Sequence, residues 1–263
     1  KKMKDITVII PVHKTDEGEL DLLKVAIKSV RDQLLRPETL MIVGPKNIKK
    51  EIDSLDFGSL DYVFTENSGD TDFASQMNLA AESCKTDYFS LLELDDELSR
   101  IWIKNVKEYM KHYEDVNVFL PLITNVDKDN TFIGWTNEPV WAMNFSEETG
   151  FLSLEALLSY PNFNIDGMVI ETEFFLEIGG FKKNIKLTFI YEFLLRAIFM
   201  DARMLTVPKI GYKHLNMREG GLFYNYKNHP DLLIPANEGS FWLETAKKEY
   251  FFTEDREIVV KDL

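Results

Sequence analysis

The sequence predicts a three-layer α/β/α fold around a mostly parallel sheet, and three observations carry that reading. Short apolar runs alternate with helical stripes through the first hundred residues. The runs are rich in β-branched residues and have no polar face, as expected of strands covered on both sides. The segments between them are long enough for crossover helices but too long for hairpin turns.

The elements follow in order. Residues 5–12 (DITVIIPV) form the first strand and end at Pro11-Val12. Residues 19–35 carry Leu20, Leu23, Ile27, Val30 and Leu34 at helical spacing. A second strand at 40–43 closes on Gly44-Pro45, and a third covers 62–65. Asp70 to Asp72 can cap a helix whose apolar face is Phe73, Met77, Ala80, Ala81 and Cys84. The fourth strand, 88–92, runs directly into Glu93-Leu94-Asp95-Asp96-Glu97.

Beyond residue 100 the pattern loosens. A helix is expected at 102–113, a strand at 116–123 and a long loop over 125–150 with Trp135 and Trp141. A strand at 167–170, a helix at 173–178 ended by Gly179-Gly180, a helix at 189–200 and a short strand at 204–207 before Pro208 complete the series. The tail from Gly239 opens as a helix. This organisation gives one domain over 1–221, with a regular part at about 1–100 and a less regular part at about 101–221. Residues 222–263 are expected to pack on the same domain as an extension.

Composition narrows the function. The formal net charge is −14, so general binding to nucleic-acid backbones is disfavoured, and phosphate recognition needs a local cationic patch or a bound cation. One cysteine, Cys84, excludes an intrachain disulfide and a cysteine-based metal cage. No apolar run approaches a membrane span, and a soluble, cytoplasmic protein is expected.

The acidic cluster Glu93, Asp95, Asp96 and Glu97 stands where an apolar strand ends, and ligands of open parallel sheets bind beyond that end. Like charges this close repel, and a hard divalent cation relieves the repulsion. An acidic turn capping the next helix is the plainer alternative.

The order of these pieces resembles the family-2 glycosyltransferases of the glycosyltransferase A fold. TVIIPVHK at 7–14 is similar to that family's opening "VSVIIPVYN". Asn67, Gly69, Asn78, Tyr88, Leu92, Asp95 and Asp96 match its "NxGxxxARNxGxxxAxGxYxxFLDxDD". Gly179-Gly180-Phe181 matches its "GGF", and Glu192 with Arg196 falls in its acidic helix. The sequence departs from the family in four places. Val43-Gly44-Pro45-Lys46 stands for "DDGS", Glu93 for an aspartate, Ala80 for a glycine, and Phe189-Ile190 for the "ED" pair.

The resemblance implies that 1–221 is a catalytic domain, nucleotide-binding at about 1–100 and acceptor-binding at about 101–221. Its implied reaction is metal-dependent, inverting transfer of a sugar from a nucleotide-diphosphate donor to a hydroxyl of a glycan, lipid-linked or other acceptor. The implied cofactor is Mn²⁺ or Mg²⁺ held by Asp95, Asp96 and His214. The implied donor site comprises Pro11, Val12, His13, Lys14, Asn78, Glu93, Asp95 and Arg218. Lys213, His214, Arg218 and two glycines would form a loop closing over the phosphates. Glu192 is the expected general base, with Asp166 in reserve. A nucleotidyltransferase of similar fold, or a nucleotide-sugar-binding protein without catalysis, are the alternatives.

Overall fold

The structure is a computed structural model that describes residues 4–16, 18–138, 150–216, 218 and 238–259. The strands are β1 (Ile6–Pro11), β2 (Thr39–Gly44), β3 (Tyr62–Glu66), β4 (Tyr88–Leu91), β5 (Glu97–Leu98), β6 (Val118–Val126), β7 (Phe132–Thr136), β8 (Val169–Glu171) and β9 (Met204–Leu215). The helices are α1 (Glu19–Arg31), α2 (Lys49–Asp53), α3 (Phe73–Ser83), α4 (Trp102–His112), α5 (Leu154–Ser159), α6 (Thr172–Glu177), α7 (Phe189–Phe199) and α8 (Glu238–Glu249).

All strands belong to one sheet in the order β3-β2-β1-β4-β8-β6-β9-β5, with β7 on the other edge of β6. β3, β2, β1 and β4 are mutually parallel. β8 runs antiparallel to both β4 and β6, so β6 and its parallel neighbour β9 point the same way as β4. The carboxyl ends of β1, β4, β6 and β9 therefore open on one rim.

Alternation along β1 divides the core. Ile6, Val8 and Ile10 pack under α1, α2 and α4. Ile9, on the opposite face, packs with α3, α5, α6, α7 and α8. This is the expected three-layer arrangement.

The strand ends are tied by a buried polar network. The Val12 carbonyl accepts from Gln76 Nε2 at 2.8 Å, and Gln76 Oε1 accepts from Asn67 Nδ2 at 2.7 Å. Asn67 N–H donates to Gly44 O at 2.8 Å. The loops after β1, β2 and β3 thus share one set of hydrogen bonds.

Besides the short elements α2, α5 and β5, which the sequence pattern does not mark, two elements differ from expectation. Pro208 does not end the last strand: β9 continues to Leu215, with register irregularities opposite residues 120–123. A proline lacks the ladder N–H, and a bulge accommodates the gap. Instead of sitting in a loop, His214 is thereby held in a strand, paired with Asn125 of β6. The expected loop at 125–150 begins with the hairpin strand β7, while residues 139–149, with Trp141, lie outside the described residues. So do Met217, Glu219, Gly220 and Gly221 of the expected phosphate-closing loop.

The described part of the tail lies on the α7 side. Trp242, Ala246 and Tyr250 are buried with α7, and the Asp255 carboxylate accepts the N–H groups of Lys183 and Asn184 at 2.9 and 3.2 Å.

Candidate active site

After β4 the chain leaves the sheet with Leu92 and Leu94 buried in one core layer. Those two anchors turn Glu93 and Asp95 away from that layer. The backbone N–H of Glu93 donates to Tyr212 Oη at 3.0 Å, and Tyr212 Oη donates to Asp96 Oδ2 at 2.6 Å. Asp96 is buried, and its Oδ1 accepts the N–H of Leu215 at 2.8 Å. His214 Nδ1 lies 2.8 Å from Asp96 Oδ2.

Asp166 enters from the turn before β8. Its neighbour Gly167 has φ 73 and donates its N–H to Leu91 O at 2.9 Å. A Cβ on Gly167 would come within 2.8 Å of the Tyr212 ring, so both the backbone conformation and the close approach require glycine. His214 Nδ1 stands 3.4 Å from Asp166 Oδ2 and 3.6 Å from Glu93 Oε2. One ligand atom from each of Glu93, Asp96, Asp166 and His214 lies within 4.8 Å of the others.

Burial dominates the electrostatics. It raises the Glu93 carboxyl well above its usual range, and the charges of Asp166, Asp96 and Asp95 add to the effect. Burial likewise brings Asp166 up to about 6. Burial alone would lower His214, but the carboxylates of Asp96, Asp166 and Asp95 outweigh it and lift the ring to about 10. An imidazolium is thus the cluster's internal counter-charge.

The donor set also fits a hard divalent cation. It offers three carboxylates and one imidazole, and among the described residues no group donates a hydrogen bond to the buried Asp166 Oδ2.

Asp95 takes no place in this cluster and faces a cation instead. Arg218 Nε donates to Asp95 Oδ2 at 2.9 Å, and Arg218 Nη1 lies 3.4 Å from Glu19 Oε1. Lys14 Nζ is 3.8 Å from the same Glu19 oxygen. His13, half-buried nearby, is held below its usual pKa by burial and by the charge of Lys14. Pro11 and Val12 close β1 on this rim, and the Gln76 bond fixes Val12. His13, Lys14, Glu93, Asp95, Asp96, His214 and Arg218 are therefore gathered at one end of the sheet.

Two of the expected site residues are engaged elsewhere. Asn78 Nδ2 donates to Phe181 O and Asn78 Oδ1 accepts from Phe181 N, both at 2.8 Å, so its amide clamps α3 to the turn before α7. Glu192 is fully buried inside α7. Arg196 binds both of its oxygens at 2.8 and 3.0 Å, and Lys182 Nζ adds a contact at 3.0 Å. Arg196 also donates to Gly180 O at 2.7 Å, and Lys182 to Glu249 O at 2.8 Å. Glu192, the expected general base, is thus held in a sealed ion triad that joins α7, the glycine turn and the tail.

Sequence reasoning passed over Glu19 and Tyr212. Glu19 reads as an ordinary first-turn acid of α1, and only its burial at 1% exposure sets it apart. Tyr212 had a usable signal, since it stands two residues before His214 on one strand and so on the same face.

The family model for glycosyl transferase family 2 matches residues 7–164. No curated protein sequence matches the chain. Among solved structures, S. aureus TarS 1-349 in complex with UDP-GlcNAc superposes with a TM-score of 0.62 at 14% identity, over 85% of this chain and 64% of that one. The same fragment with UDP gives 0.61 at 13% identity, over 80% and 60%. The longer S. aureus TarS structure gives 0.55 at 15% identity, over 85% and 38%. The chain spans about 60% of the length of the 1-349 fragment with UDP, and at such identities the likeness is one of fold. The family model, by contrast, covers more than half of the sequence, and the chain belongs to glycosyl transferase family 2.

Proposed function

We propose that the chain transfers a sugar from a nucleoside-diphosphate donor to an acceptor hydroxyl, in a single displacement that inverts the sugar carbon. The observation that carries this reading is the convergence of Glu93, Asp96, Asp166 and His214 beyond β4, with Arg218 and Lys14 beside them. In a chain of net charge −14, this local mixture of acids and cations suits a diphosphate accompanied by a cation.

Glu93, Asp166 and His214 would hold Mn²⁺ or Mg²⁺, while Asp96, whose oxygens already accept from Tyr212 and Leu215, orients His214. A cation held there would supply Lewis-acid stabilisation of charge on the departing diphosphate. Arg218 and Lys14 meet the phosphates, and the His13 ring, following the buried Pro11 and Val12, lines the nucleoside side.

A thermal-shift screen tests the reading with UDP-, GDP-, ADP-, CDP- and dTDP-sugars, with and without Mn²⁺. The TarS structures hold UDP and UDP-GlcNAc, so uridine donors come first. A ligand at about a hundred times its Kd stabilises by about 2.7 kcal/mol. One nucleotide should raise Tm, and raise it further with Mn²⁺; flat responses to all five would sink the proposal. Asp166→Asn should lose the Mn²⁺ increment. Normal Mn²⁺ binding with slow transfer would instead mark Asp166 as the proton acceptor.

A second reading, a nucleotide-sugar-binding protein without transfer, draws on the sealing of Glu192 and on Phe189, which is buried where the family has its acidic pair. Release of nucleoside diphosphate with acceptor product excludes it.

A further inference from the structure

Glu19 is the first residue of α1, 1% exposed, and its Oε2 is buried with no hydrogen-bond partner among the described residues. An ionised carboxylate so placed is costly unless cations compensate it. Its other oxygen supplies that compensation at a distance, 3.4 Å from Arg218 and 3.8 Å from Lys14. Arg218 in turn spans Glu19 and Asp95, with its shorter contact, 2.9 Å, to Asp95. Two cations, with His13 beside them, therefore converge on one buried acid at the rim where the donor phosphates would lie.

We propose that Glu19 is a positioning residue for nucleoside-diphosphate binding, one that rests on the functional reading above. It holds Arg218 and Lys14 side by side against their mutual repulsion. It also gives Arg218 a second anion, so that the guanidinium stays at the rim when Asp95 exchanges it for the incoming ligand. Without the Glu19 charge, Arg218 loses the second anion that holds it at the rim while the diphosphate displaces Asp95. The loss should fall on phosphate recognition and spare the nucleoside, because Glu19 acts through the two cations.

The test is calorimetric titration of the full chain with UDP and with uridine, or with whichever of GDP, ADP, CDP and dTDP stabilises the wild type and its nucleoside. Glu19→Gln should weaken the diphosphate about tenfold, the scale of one charge-assisted contact, and leave the nucleoside unchanged. Glu19→Asp, which keeps the charge on a shorter arm, should recover part of the loss. In an Arg218→Met background Glu19→Gln should cost much less, since coupled residues are non-additive. Three results would overturn the proposal: unchanged diphosphate binding, equal loss of diphosphate and nucleoside, or full additivity with Arg218→Met. If Glu19→Gln does not fold, the same cycle is run with Glu19→Asp and judged by the same three results. A wild type that binds none of the five diphosphates overturns the functional reading and this proposal together, whereas binding that Glu19 does not affect overturns this one alone.

Discussion

A carboxylate with no solvent and two cationic neighbours is held by geometry, and Glu192 has such an environment. Arg196 covers both oxygens, Lys182 touches one, and all three side chains are at most 1% exposed. Removing one partner of a buried ion pair leaves the others uncompensated, at a cost of about 3–5 kcal/mol. Glu192→Gln should therefore lower the melting temperature markedly, by roughly ten degrees or more, as followed by circular dichroism. An unchanged melting temperature with a hundredfold slower transfer would restore Glu192 as a base. The spacing of Glu192 and Arg196 showed in the sequence as a pair four residues apart. Their burial, and the approach of Lys182 from the glycine turn, did not show, because both arise from tertiary contacts. Asp166 has the same history. It lies 73 residues from Glu93 in the chain, and only the pairing of β8 with β4 brings their turns together.

At the scale of elements, the asparagine of α3 that matches the family motif is a fastener. Asn78 makes both amide bonds to Phe181, and a Cβ on Gly180 would stand 2.6 Å from its Oδ1. Gly180, with φ 63, also suits a left-handed turn that other residues enter at a cost. Asn78→Ala removes two hydrogen bonds and leaves a partly buried N–H and C=O of Phe181 without partners, which costs about 1–3 kcal/mol. Donor affinity should stay within a factor of two while thermal stability falls; a selective loss of donor binding with normal stability would return Asn78 to the site. Elements of the amino-terminal half were legible because each strand is a continuous apolar run between turn residues. β9 was shortened in the reading because Pro208 is normally a stop, and here a bulge carries the strand past it to His214. β7 was missed because FIGWT has no apolar–polar alternation, and Phe132, Ile133 and Trp135 are all about half exposed.

For the whole molecule, the decisive question is whether the chain after the site residues is an appendage or part of the core. Trp242, Ala246 and Tyr250 of the tail are each at most 5% exposed and belong to the cluster that includes α3, α6 and α7. Polar contacts reinforce the apolar ones. Thr188 Oγ1 donates to Trp242 O at 2.6 Å, Lys182 Nζ to Glu249 O at 2.8 Å, and Asp255 receives two backbone N–H groups. Lys182 is the link that matters, since it touches Glu192 as well, so the tail completes the shell around the buried triad. Each large buried side chain contributes roughly 1.5–3 kcal/mol, and a domain has about 5–15 kcal/mol in total. Deleting residues 238–263 should therefore do more than shorten the protein. It uncovers the α7 face, leaves Lys182 without its carbonyl partner, and should give an insoluble chain or one with a melting temperature at least about ten degrees lower. Calorimetry on the truncated and full chains decides the matter. An unchanged transition would mean that the tail is a separate appendage and that α3, α6 and α7 close their core without it.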